Sequence, residues 1–568
     1  MRPAAGIGAA ALVLIAASDA LAHGGQYRGP GGRTPNDPTA PGSGPASTND
    51  WEAWWAANAW RYLNLRERLR QRDRDPGETV TSGLGQHGSV PGGAGPAADE
   101  PFDVRAFHEK ETLPAVTKAL GDEDAEVRSA AAVALGKMGY ARSLLDLRKA
   151  LRDEVRDVRD GAVLGLGMLG EPFAADDLQD LLLDPKQDDR TRSFAAVGLG
   201  FLGDGAGAEA LAAFLDPGAD AGRAGGIGRS NHTEASALTG LGLSGHLPAA
   251  EGIRKGYASD KRWEPQVRAF AAVALARLHD REAIPILLQG LEHPREPMRQ
   301  AAAIALGPLG RPEDDAVVQA LARRLWEDKD LSTRQFALMS LARIGGPSAR
   351  EAIRKVLAKG SRIDLPWAAM ACAVGGDHES MPAIRALFRK ETQPSQKAGF
   401  ALALGLLGDR ESAPDFLRLA LDPGEASLRV YCLISLGLCG PPSTGREVRA
   451  LFDRDNDPGI KTAAATCLGL LKDPGAVPLL EKTVQEGENA FLRSSACRIL
   501  GNIGNPSSSR VLAAVVADKK DNSIVRMAAT AALGNLADPR LVPLLAEVAM
   551  DGNYQSSVDP LIEISSIL

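Results

Sequence analysis

The stretch that decides the fold is Arg128-Ser-Ala-Ala-Ala-Val-Ala-Leu135-Gly136-Lys-Met-Gly139. A basic residue opens it, a run of small residues follows, and Leu-Gly and a closing Gly end it. The same order of residue types returns at Arg159–Gly170, Arg192–Gly203, Arg299–Gly310, Arg429–Gly440 and Arg493–Gly504. A phrase repeated about every 32 residues marks a solenoid, in which each helix pair buries its apolar face only against its neighbours. Small residues in the second helix let adjacent helices approach closely, and the final Gly ends that helix.

Anchoring on the basic position gives thirteen units: Arg128, Arg159, Arg192, Glu234, Arg268, Arg299, Arg334, Asp364, Lys397, Arg429, Lys461, Arg493 and Arg526. Eleven of the thirteen anchors are basic, which is too regular for chance. The expected fold is therefore all-α, a right-handed α-solenoid of about thirteen helix pairs spanning residues 101–568. Each unit has a first helix, such as Leu113–Leu120, then an Asp-rich turn, then the anchored helix. Asp122 and Asp124, or Asp188 and Asp189, are placed to cap the second helix. An Asp close to a basic residue in successive units also allows a charge ladder between repeats. Pro560 to Leu568 reads as a closing helix that caps the end of the core.

Two units depart from the rule. The fourth carries a Gly-rich insertion, Pro217 to Asn231, expected as a protruding loop. The eighth, Asp364 to Gly376, lacks both the basic anchor and the Leu-Gly and places Trp367 inside.

These phrases resemble HEAT repeats of the short kind found in phycobilin-lyase subunits. Asp-Arg-Glu-Ala-Ile-Pro-Ile-Leu-Leu followed by Met-Arg-Gln-Ala-Ala-Ala-Ile-Ala-Leu-Gly is the clearest example. The resemblance covers roughly residues 102 to 550. The whole layout is also similar to exported bacterial HEAT-repeat proteins without an assigned activity. It implies a solenoid fold and transfers no chromophore site.

The chain before the array is equally patterned. Arg2, the small apolar run from Ala4 to Ala17 and Ala20-Leu21-Ala22 make residues 1–22 a signal peptide. The expectation is an exported protein, whether periplasmic, at the cell surface or extracellular. Residues 23–50 and 76–100 are Gly/Pro-rich and read as linkers. Between them, residues 51–75 place Trp51, Trp54, Trp55, Tyr62, Leu65 and Leu69 at three- and four-residue steps, an amphipathic helix. Four of the seven tryptophans fall in ten residues here, followed by Arg61, Arg66, Arg68, Arg70, Arg72 and Arg74. Such a face docks on the first repeat as a cap, binds a partner in trans through aromatic anchors, or lies on an anionic membrane surface.

Within the array, Phe194, Phe270, Phe336 and Tyr431 occupy one position, two residues after the anchor, and Trp367 and Phe400 lie one residue later. They form an aromatic stripe that either packs between repeats or lines the concave face as a stacking surface for peptide or glycan. The candidate partner-binding residues are thus Trp51, Trp54, Trp55, Tyr62, Phe194, Phe270, Phe336 and Tyr431.

Catalytic, cofactor and metal sites are not expected. Gly165–Gly170 fits the dinucleotide spacing, but these glycines lie late in a helix instead of following a strand. Asp453 to Gly459 lacks the glycine and the bidentate Glu of a calcium loop. The pairs His108-Glu109 and His378-Glu379 sit at unmatched positions, unlike the several His-Glu pairs of HEAT-fold di-iron hydroxylases. His23 has no evident copper-binding partner. Five scattered cysteines read as small buried hydrophobes. A formal charge of -7 over 568 residues gives no pull toward nucleic acid. The expected function is a non-enzymatic protein-interaction scaffold that binds a protein or peptide. A lyase-like or cofactor-binding enzyme subunit is the alternative, and an envelope adaptor using Trp51–Arg74 for membrane contact is a further one.

Overall fold

The computed structural model describes residues 51–65, 103–203, 205–216, 228–259, 261–554 and 557–567. Residues 1–50 and 76–100, expected from the sequence to be a signal peptide and two linkers, lie outside the described residues, as do the arginines from Arg66 to Arg74 and most of the insertion in unit four.

All thirteen units are present as pairs of an outer and an inner helix, the inner one being the longer in every unit except the eighth. The inner helices start at or just before their anchors, from Ala125–Met138 in unit one to Ser523–Ala537 in unit thirteen. Caps follow the expectation: Asp124 accepts the amide N–H of Glu126 at 2.8 Å, and Asp188 that of Thr191 at 3.0 Å. Gly139 and Gly170 end their helices in the left-handed region, at φ 67° and 76°, which a side chain at that position would strain.

Inner and outer helices differ in how they are covered. The outer helix Met381–Lys390 buries only Ile384 and Phe388, one stripe at i and i+4. The inner helix Glu296–Leu309 is buried continuously from Gln300 to Gly307. A helix buried on all sides needs cover from both flanks, and its small residues supply close approach on each. A Cβ at Gly136 would overlap the backbone of Gly165, and one at Gly167 would overlap Gly198. The apparent dinucleotide glycines are therefore helix-packing residues.

The array does not end; it closes. The inner helix of unit thirteen packs along that of unit one as neighbouring units do elsewhere. A Cβ at Gly534 would lie 2.6 Å from Ala134. The charge ladder continues across the seam as well. Within the array, Arg128 pairs with Asp153 at 2.9 Å, Arg299 with Asp328 at 2.8 Å and Arg493 with Asp521 at 2.6 Å, each joining one unit's anchor to the next unit's turn. Arg526 of unit thirteen pairs with Asp122 in the turn of unit one. Lys519–Glu123 at 2.7 Å and Lys137 to Asn535 at 2.8 Å add to the seam. Arg540 then clamps it from above, donating to the carbonyls of Lys137 at 2.9 Å and Met168 at 3.0 Å.

Closure corrects the expected role of the last helix. A ring has no exposed end to cap, so Asp559–Ser566 instead turns inward and packs against the inner helices of units three and four. Its Glu563 reaches Arg190 at 2.5 Å.

Candidate functional site: the filled centre of the ring

A concave inner wall is the usual place to look for a ligand in a solenoid. Here the chain fills that wall itself. Two segments enter from opposite ends of the sequence: Trp51–Asn58 with Trp60–Leu63, and the stretch from Leu541 to Ile567.

The N-terminal helix docks in cis, but on units eight to eleven instead of capping unit one. Trp51 is 1% exposed and meets Tyr431 edge-on, with ring centroids 4.6 Å apart. Gly399 leaves the room for it, since a Cβ there would lie 3.1 Å from the indole. Trp54 contacts Trp367 edge-on at 6.5 Å, Trp55 stacks on Tyr62 at 5.8 Å, and Leu65 fills the space over Gly469. Neither the Trp51 nor the Trp55 indole N–H has an acceptor. The tryptophans are therefore held by apolar burial and ring contacts, against the cost of two orphaned donors.

The stripe residues are on the inner wall, and the chain's own groups cover most of them. Tyr431 receives Trp51, Phe336 receives Tyr554 at 5.3 Å, and the Arg190 guanidinium lies 5.3 Å over Phe194. Phe270, only partly buried, lines a cavity. Of the eight candidate partner-binding residues, Trp51, Trp54, Trp55, Phe194, Phe336 and Tyr431 are buried, and Tyr62 is packed between Trp54 and Trp55. The expectation of an open aromatic surface is corrected to this extent: burial inside the ring leaves these rings nothing to offer a partner while both segments are seated.

Asp551 ties the centre together, and no sequence pattern singled it out. Its carboxylate pairs with Arg61 of the N-terminal segment at 2.7 Å and with Arg343 of unit seven at 2.7 Å. Its backbone N–H donates to Asn58 Oδ1 at 3.2 Å, and it sits at φ 57°, a strained value for a residue with a Cβ. Burial pushes its carboxyl up, yet Arg343 and Arg61 together hold it below the usual carboxylate range. Close by, Arg277 Nη2 donates to three carbonyls, those of Glu547 at 2.8 Å, Val548 at 3.1 Å and Met550 at 2.9 Å. It thereby caps the C-terminal end of the helix Leu544–Ala549.

Between the N-terminal helix, unit five and the C-terminal segment lies a cavity of about 410 Å³. Its walls include Ala53, Ala56, Trp60, Phe270, Val273 and Leu561, with Arg277 among them. Cavities of this size and apolar lining hold small molecules. Among the described residues no group of His, Cys, Asp and Glu is placed to hold a metal ion. His108 is buried in the first turns, with Nδ1 2.9 Å from Thr112 Oγ1, while His378 starts a separate short turn in unit nine.

The architecture defines a class: an all-α solenoid of helix pairs, here closed on itself. The chain is a HEAT-repeat protein, since the model for HEAT repeats matches residues 103–167, 257–330, 415–498 and 486–556. No curated protein matches the chain. Among solved structures, human deoxyhypusine hydroxylase in complex with glycerol aligns at 22% identity and a TM-score of 0.22, covering 47% of this chain and 96% of its own. The complex of CpcE and CpcF of phycocyanin lyase from Nostoc sp. PCC7120 aligns at 22% identity and a TM-score of 0.26, covering 57% of this chain and 100% of its own. Scores this low say nothing about what the ring does.

Proposed function

We propose that this chain is an exported, non-enzymatic ring scaffold that binds a partner protein or peptide on its outer rim. HEAT repeats as a class mediate protein–protein contact, and the inner wall is already taken by the chain's own segments. The observation that carries the reading is an exposed apolar pair on adjacent outer repeats. Phe173 is 73% exposed and Leu145 65%, and Arg148, one helical turn from Leu145, bonds the Phe173 carbonyl at 2.8 Å. Large apolar side chains left in water on a rigid rim are typical anchors for a partner. Burial of the Trp-rich face argues against the membrane-adaptor reading, which needs that face free. Among the described residues, no helix is long and apolar enough to cross a membrane.

The test compares the wild-type protein with the double variant Leu145→Asp/Phe173→Asp in capture from the native envelope fraction, with circular dichroism as the folding control. A partner retained by the wild type and lost by the folded variant supports the rim. The same partner recovered equally by both overturns it.

A further inference from the structure

We propose that the cavity beside the N-terminal helix is a binding site for a long-chain fatty acid, with its tail on the apolar walls and its carboxylate on Arg277. Two independent features lead there. The first is the shape and lining: about 410 Å³, within the range of small-molecule sites, bounded by Ala53, Ala56, Trp60, Phe270, Val273 and Leu561. It opens to solvent past the exposed Ala56 and past Ile562, which is 53% exposed.

The second feature is the charge of Arg277. A guanidinium has five N–H donors, and only Nη2 is used, on three backbone carbonyls. No carboxylate among the described residues lies within ion-pair distance of it. The nearest are Asp551, committed to Arg61 and Arg343, and Glu547, whose field reaches Arg277 without a contact. A half-buried cation lacking an anion carries a desolvation cost, and that burial pulls its pKa down. A carboxylate entering along an apolar channel would supply the missing anion and accept from the free Nε and Nη1 donors. An uncharged apolar ligand would fill the walls and leave that cost in place.

The experiment is a calorimetric titration of the purified protein with palmitate and with hexadecanol, a chain of equal length and no charge. The expected result is one palmitate per chain, bound at least tenfold more tightly than hexadecanol. Ala56→Trp, which fills the cavity from its mouth, should weaken palmitate at least tenfold with an unchanged circular dichroism spectrum. Arg277→Gln should bring the two ligands to equal affinity. Should Arg277→Gln release the C-terminal segment, the head-group comparison and Ala56→Trp decide without it. Palmitate that does not saturate at one per chain, equal affinity of the wild type for both ligands, or wild-type binding by Ala56→Trp would overturn the proposal.

Discussion

Replacing Trp51 with alanine should undock the N-terminal helix while leaving the ring closed. Trp51 is 1% exposed, meets Tyr431 at 4.6 Å and lies over Gly399. Truncating a buried Trp to Ala costs about 3–5 kcal/mol. The Trp51 indole N–H is buried with no acceptor, which already costs about 1–3 kcal/mol, so the net loss belongs at the lower end of that range. A change of about 3 kcal/mol raises the undocked population roughly a hundredfold. Hydrogen exchange read by mass spectrometry on peptides covering Trp51–Leu63 is the assay. Their protection should fall by about two orders of magnitude while the inner helices of units one and thirteen keep theirs. Trp51→Phe makes the contrast. It keeps most of the ring contact and removes the orphaned N–H, so protection should change less than tenfold. Unchanged protection in Trp51→Ala, or equal loss at the seam, would refute the reasoning.

Other outcomes follow from burial. Lys137 at the seam is 2% exposed, and burial lowers its ammonium to about 8 from an ordinary 10.5. Between those values the unfolded chain binds more protons, so stability rises with pH there, by up to about 3 kcal/mol, and the penalty is full below pH 8. Denaturation midpoints should climb from pH 8 to 10, and Lys137→Met should flatten that climb. The five cysteines are buried, and burial pushes Cys372 to about 11, Cys432, Cys439 and Cys497 to about 12, and Cys467 higher still. Iodoacetamide at pH 8 should label none of them until denaturant is added, because thiolate is the reactive form. Asp551→Asn removes the shared partner of Arg61 and Arg343, so trypsin should cut after Arg61 faster than in the wild type.

The repeat was legible because it rests on local chemistry: the small-residue run, the Asp caps and the basic anchor each recur at fixed spacing. Closure was harder to read because the seam uses the same residue types as every internal interface. One signal was present. Asp122 stands in the first repeat turn with no repeat anchor before it, so the ladder opens on an acceptor whose donor had to come from elsewhere in the chain. The centre was least legible. Asp551, Arg277 and Gly399 belong to no motif, and their roles come from segments brought together across hundreds of residues. The aromatic stripe was placed correctly on one line of the solenoid, but the sequence alone did not say that Trp51 and Tyr554 would cover it.

Ring closure is the claim on which the rest depends, and Lys519 and Glu123 test it most directly. They lie 396 positions apart in the chain with Nζ and Oε1 at 2.7 Å. A zero-length carbodiimide converts an amine–carboxylate contact of this kind into an amide, which mass spectrometry locates. A Lys519–Glu123 link in monomer isolated by size exclusion is the result the closed ring predicts. An open solenoid would give only local links, such as Lys255–Glu251 within one helix of unit five, and none joining unit thirteen to unit one.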